Sequence, residues 1–505
     1  IRDRYYGTVI NCTVMAMVLV AANRISETFL LWHEWLPKNI YSHVHTFVQT
    51  INISFASGAT DIPIDIASTN NLISILLIVG FTTLYSTTGG LRTVINTDVV
   101  QFIIAMAATL VYAIYAVAHV GGLGTMTQKL VSLYGAERTG EMLSFGPHSK
   151  ELLMPFLIIV GLQWFFQMNS DGTGYLAQRT MACRSDRDAR MAGFVFTGAQ
   201  VLVRSLFWLP ICIALLLIYP YDPASASGET FTASREILFA TGIKDLMPAG
   251  IRGLMLTGLF AALASTISTH LNWGASYWSN DIYYRIINQI WLKRTPRSKE
   301  LVIVARFTNI LILAIALAIM VNLDSIQTAW YISLLFGAGM GAVLVLRWLW
   351  ERINIFSELA AIAASLIFAP IILFTVKEEW MRLLLMSVIS TVVVLVVTWL
   401  TPITDKRILT EFYKRVSPPG FWKKTARSLG VDPKQSVKEL REGIYLVVTT
   451  GATVFLLLIG LGKLLLPDPT GSSITTWITI IAGLASIALW WKKVFAKSND
   501  ELIER

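Results

Sequence analysis

Apolar runs of about 18 residues or more recur along this chain, each long enough to cross roughly 30 Å of hydrocarbon. Twelve are legible, near 8–32, 71–88, 99–120, 152–170, 191–219, 250–277, 301–322, 326–348, 356–376, 380–401, 442–465 and 472–493. Composition agrees: 54% of the 505 residues are hydrophobic and 14% charged, with a mean hydropathy of +0.60. This is the profile of a polytopic all-α membrane protein, far from a soluble domain. One membrane unit covers 1–401. A basic polar segment follows over 402–441, then two further spans and a tail over 442–505.

The net charge of +9 does not imply a nucleic-acid partner, because of where the charges fall. Alternating loops carry about 29 Lys/Arg on one side and about 10 on the other, the asymmetry of the positive-inside rule. Both ends of the chain are then expected in the cytoplasm, with the spans in the inner cell membrane and the basic side near anionic lipid. The 402–441 segment breaks at Pro418-Pro419-Gly420 and interleaves Phe412, Tyr413, Phe421 and Trp422 with Lys and Arg. The pattern fits an amphipathic piece on the lipid surface and a solvated linker equally well. Across the membrane, 33–70 holds His33, His43, His45, Asp61 and Asp65, but two histidines without a third placed ligand do not make a metal site. Cys12, Cys183 and Cys212 form neither a disulfide framework nor a metal motif. No nucleophile–base pair emerges, so an enzyme is the reading least supported. The opening "IRDRYYG" is a short basic flank running straight into a span, which reads as a truncated start.

Three stretches carry chemistry. In "LYSTTGGLRTVINTDVVQF" (84–102) a span ends at Tyr85-Ser86, Gly89-Gly90 is expected to turn the chain, and a new span begins after Asp98. Asp98 with Gln101 fits a capping box, and a carboxylate at the mouth of a span also attracts a cation; the two roles are compatible. In "FAALASTISTHLNWGASYWSND" (260–281), Ala262, Ser265, Thr266 and Thr269 are spaced 0, 3, 4 and 7 and share one helical face. Hydroxyls in a span often bond back to carbonyls one turn earlier and ease helix packing. Clustered on one face, they also supply the oxygen ligands that a hard cation takes. In "GLQWFFQMNSDGTGYLAQR" (161–179) an apolar helix runs into Asn169, Ser170, Asp171 and two glycines. Irregular backbone at membrane depth is tolerated only when buried or lining a wet cavity, although the span simply ending at Met168 fits as well. Two intramembrane charges, Arg24 and Glu27, sit three apart and can pair. Arg204 has no acid near it in sequence, which suits an anionic solute or an inter-helix ion pair.

At Tyr85, Gly89, Gly90, Leu91, Val94, Thr97, Asp98 and Gln101 the chain resembles the sodium:solute symporter family, with Thr93 in place of the usual small Ala. The family's core helix 8 matches at Ala262, Ser265 and Thr266, its helix-8 ending at Asp281-Ile282-Tyr283, and its broken core helix 6 at Gln178-Arg179. His270 and Asn272 depart from the sugar and proline branches, and Phe166, Asn169 and Trp330 stand where sugar carriers hold other side chains. The resemblance implies a LeuT-like inverted-repeat transporter with extra C-terminal helices, its first core helices absent from this chain. It further implies sodium held by the Ala262 carbonyl and the Ser265 and Thr266 hydroxyls, with Asp98 and Thr269 along the ion's path. Gln167, Asn169, Asp171 and Trp330 are the substrate-facing candidates, and the activity implied is sodium-coupled import of a small polar organic solute. A non-transporting receptor or structural subunit retaining the fold is the alternative.

Overall fold

The computed structural model describes residues 6–56, 58, 60–83, 95–147, 150–166, 179–223, 228–323, 325–467, 469 and 472–495. Among these residues the chain is helical, and the one β-contact is an isolated bridge between Trp350 and Phe421. The helices used below are α1 (Asn11–Phe29), α2 (Lys38–Ile51), α3 (Ile64–His119), α4 (Lys150–Phe166), α5 (Arg204–Ile218), α6 (Glu229–Leu246), α7 (Ala249–Ser276) and α8 (Ser298–Met320). They continue with α9 (Ile326–Ala338), α10 (Gly341–Leu349), α11 (Ile355–Thr375), α12 (Glu379–Leu400), α13 (Lys406–Val416), α14 (Lys423–Ser428), α15 (Pro433–Leu465) and α16 (Ser473–Val494). Among the described residues ten helical stretches are long and apolar enough to cross a membrane, or eleven if the pair α9 and α10, bent by 44°, is one span. The twelfth, expected over 152–170, begins as α4, and the described residues stop at Phe166.

Two compact units interleave in the sequence, one from 3–126 with 210–333, the other from 127–209 with 334–505. In the first, α1 is the central helix. It is buried along most of its length, polar and apolar residues alike, and Met15, Ala16 and Leu19 are completely buried. Ile75 of α3, Ile267 of α7 and Ile312 of α8 complete the core around it. Several of its polar residues bond other elements, while Asn23 Oδ1 and Ser26 Oγ are buried without a hydrogen-bond partner. Asn23 Nδ2 donates to the Phe55 carbonyl at 2.8 Å, and Glu27 accepts from Asn71 Nδ2 at 2.8 Å. Arg24 reaches Glu236 of α6 at 3.5 Å. The same Glu236 carboxylate accepts the Ile326 and Gln327 amides in the first turn of α9.

One expectation is corrected here. The backbone is already helical from Ile95 onward, so Asp98 lies inside a helix and does not cap its start, whereas the turn expected at Gly89-Gly90 lies outside the described residues. Among the described residues, Ile64–Thr83 and Ile95–His119 are each long and apolar enough to cross a membrane.

In the second unit, the bend between α9 and α10 falls at Gly339-Met340. Carbonyls freed by the break are taken up by hydroxyls of neighbouring spans, the way irregular backbone survives at membrane depth. Ser365 of α11 donates to Phe336 O at 2.8 Å, and Ser390 of α12 donates to Ala338 O at 3.4 Å. The 402–441 segment is folded, forming α13, α14 and the start of α15. Trp422 Nε1 donates to Trp348 O at 2.8 Å, and Glu351 accepts the Lys424 and Thr425 amides at 3.0 and 2.9 Å. Gly420, at φ +110°, lies so close to Leu349 that an added Cβ would meet its carbonyl oxygen at 2.5 Å.

Candidate functional site

The site is built where α7 crosses α3. Small residues let the two backbones approach, and a Cβ added at Gly258 would lie 3.1 Å from the Ala105 Cα. Seven residues further along α7, Ser265 donates a short hydrogen bond to Asp98 Oδ1. Gly258 opposite Ala105 and Ser265 opposite Asp98 describe an antiparallel register. It turns Asp98, Gln101 and Ala105 of α3 toward Gly258, Ala262, Ser265 and Thr269 of α7.

The hydroxyls of α7 behave differently from one another. Thr266 makes the back-bond that packing alone predicts, donating to Ala262 O at 3.0 Å, and Ser268 donates to Ser265 O at 2.9 Å. Ser265 instead reaches across to another helix and a carboxylate. Thr269 is buried, 6% exposed, and its Oγ1 has no hydrogen-bond partner. Gln101 Oε1 is likewise buried without one. Such an oxygen in a low-dielectric interior costs about 1–3 kcal/mol unless something electropositive reaches it.

The donor chemistry suits a hard cation. A serine hydroxyl donating to a carboxylate keeps both oxygen lone pairs, and so does a threonine donating to a carbonyl. Ser265 and Thr266 are half-buried and Ala262 is exposed, so this face is open and not sealed in packed protein. Neutral oxygens with one nearby carboxylate form the ligand type that hard cations accept.

Of the other expected residues, Gln167, Asn169 and Asp171 lie outside the described residues. Trp330 lies on α9 with 38% of its surface exposed. Arg204 lies beside Gln200 of the preceding π-helical stretch Gly198–Val203, whose amide oxygen, once the amide is turned to face it, accepts from both terminal nitrogens at 2.9 Å. On the segment before α3, His45 pairs with Asp65 at 3.4 Å while His33 bonds Asn70. Among the described residues no three His, Cys, Asp or Glu side chains group to hold a metal. Two features were missed from sequence. The Gln101 oxygen was assigned to a capping box, although its place three residues after Asp98 puts it on the same face. The pairing of Asn11 with His270, 259 residues apart, left no local signal.

The sequence profile of the sodium:solute symporter family matches residues 39–366. The chain belongs to this family. It is 27% identical over 300 residues to the sodium/glucose cotransporter 2 of Rattus norvegicus, covering 53% of this chain and 42% of that one. It is 25% identical over 298 residues to the sodium/myo-inositol cotransporter 2 of Bos taurus, covering 55% and 42%. With solute carrier family 5 member 4B of Mus musculus it shares 23% over 339 residues, 61% of this chain and 49% of the relative. The chain thus spans about half the length of the curated relatives it matches. Among solved structures it resembles a Na+-coupled sialic acid symporter in a substrate-bound outward-open state, with a TM-score of 0.50, 18% identity, and 80% and 78% of the two chains covered. The fold is therefore the expected all-α, LeuT-like transporter fold. The protein is a multi-pass membrane protein of a transporter family, not of an enzyme family.

Proposed function

We propose that this protein is a sodium-coupled symporter that imports a small polar organic solute, with the cation held on α7. Ala262 O, Ser265 Oγ and Thr266 Oγ1 are the ligands, and Thr269 and Asp98 line the route onward. One observation supports this above the rest: Ser265 crosses from α7 to the Asp98 carboxylate beside a buried, unpartnered Thr269 oxygen. Relatives named for sodium cotransport of sugars and inositol add weight to the choice of cation.

Sodium bound on α7 supplies positive charge that the Asp98 side of the seam stabilises and then draws onward. One cation moving down 100 mV releases about 2.3 kcal/mol, before any contribution from the concentration gradient. The lopsided Lys/Arg distribution supports placement in the inner cell membrane with both ends of this chain cytoplasmic and anionic lipid along the basic side.

The test is uptake of labelled acids, amino acids and sugars into vesicles carrying the purified protein, with and without an inward sodium gradient. Accumulation of one solute class that collapses when sodium is replaced by potassium is the expected result. Solute binding without accumulation under any gradient would instead favour the receptor.

A further inference from the structure

Past the cation-bearing turn, α7 is pinned to the first turn of α1 by a two-way contact. Asn11 Nδ2 donates to the His270 carbonyl at 3.0 Å, and His270 Nδ1 meets Asn11 Oδ1 at 2.5 Å. The first bond orients the Asn11 amide, because a carbonyl can only accept. Its oxygen must then face the imidazole, so His270 carries its proton on Nδ1 and donates. Both side chains are buried, Asn11 completely and His270 to 5% exposure. A second tie lies two turns on, where Trp278 Nε1 donates to Thr8 Oγ1 at 2.9 Å.

The placement matters because of what lies on either side. His270 follows Thr269 directly and stands four residues, about one turn, after Thr266. Beyond Ser276 the α-helical ladder gives way to a π-helical stretch, Tyr277–Trp291. Such a change of register is common at functional sites and shifts every side chain around the helix. The rotation and height of residues 262–269 are therefore set from outside α7, and Asn11 bonds both the backbone and the side chain of the residue next to them.

We propose that Asn11 and His270 are positioning residues for the cation: their reciprocal hydrogen bond sets the rotation of the Ala262–Thr269 face against α1. The inference rests on the sodium reading given above. It differs from an ordinary polar tie in the core, because loosening the pair degrades the cation site before it degrades the solute site.

Side-chain geometry supplies the decisive variants. The Asn Nδ2 sits the same number of bonds from the backbone as the His Nδ1, so His270→Asn keeps a donor facing Asn11 Oδ1. His270→Gln moves the donor one bond further out. In vesicles carrying the full chain, His270→Gln, His270→Ala and Asn11→Ala are each expected to raise the sodium concentration for half-maximal uptake about fivefold to tenfold. The solute KM at saturating sodium stays within about twofold, and the Asn11→Ala/His270→Ala double variant is no worse than either single one. His270→Asn restores sodium activation to within about twofold of the unmodified protein. Sodium-dependent thermal stabilisation in detergent gives the same ranking without turnover.

Normal sodium activation in His270→Gln and Asn11→Ala, equal damage from His270→Asn and His270→Ala, or parallel loss of sodium and solute affinity would each overturn the proposal. An unmodified protein with no sodium response in either assay would overturn the sodium reading first, and this inference with it. If His270→Ala does not fold, the contrast between His270→Asn and His270→Gln still decides the matter.

Discussion

Helix α7 and the pair α15–α16 are both rich in hydroxyls, and they use them in opposite ways. In the C-terminal pair every described threonine on the α15 face has a partner at hand. Thr449 and Thr450 bond back one turn, Thr453 bonds both Thr449 O and Ser486, and Trp490 closes the cluster by donating to Thr453 at 2.8 Å. Glycines complete the seam: a Cβ at Gly460 would lie 2.5 Å from Ile480, and one at Gly483 would lie 2.9 Å from Leu457. This is helix packing in lipid, with small residues for approach and hydroxyls as adhesive. On α7 one hydroxyl leaves its helix for a carboxylate and another is buried without a partner. Hydroxyl content alone does not tell the two regions apart; the hydroxyl that crosses from α7 to a carboxylate does.

That contrast can be broken most sharply at Asp98. Asp98→Asn keeps the shape but removes the charge, and uptake should slow on the order of a hundredfold, about 2.7 kcal/mol, with little change in apparent solute affinity. Uptake at the normal rate would return Asp98 to a structural role. On the other side, Gly460→Leu should lower the unfolding free energy in detergent by about 1–3 kcal/mol through overpacking while sodium activation stays as it was. Intermediate in size, Ser265→Ala and Thr266→Ala should each raise the sodium needed for half-maximal uptake about tenfold, near 1.4 kcal/mol, in a normally folded protein. Unaltered sodium dependence in both would remove α7 from the site. The smallest effects sharpen the comparison best. Thr453→Val should cost about 0.6 kcal/mol of stability with no effect on sodium. Thr269→Val should cost no stability in the absence of sodium, since it removes a buried oxygen that has no partner, yet weaken the sodium response. Thermal melts and sodium titrations on the same preparations would read both.

Much of this was legible in the sequence because the bilayer imposes a simple code. Span length, charge asymmetry and the spacing of Ala262, Ser265, Thr266 and Thr269 are local properties, and the all-α membrane class and the candidate face followed from them, whereas the LeuT-like fold came with the family resemblance. The status of each hydroxyl was not local. Thr266 bonding back and Ser265 bonding across begin from adjacent residues, and only the position of Asp98 on another helix separates them. Arg24 and Glu27 suit each other by spacing, yet Glu236 and Asn71 come from helices whose approach no short pattern encodes.

The bend between α9 and α10 carries a mechanical consequence. Its loosened carbonyls are held by Ser365 and Ser390, which belong to two different spans, and a Cβ at Gly339 would collide with the Ser365 side chain. Straightening or deepening the angle means surrendering those serines, so the elbow is braced like a strut and its angle is an attribute of three spans together. Any displacement of α11 or α12 must be felt at this joint.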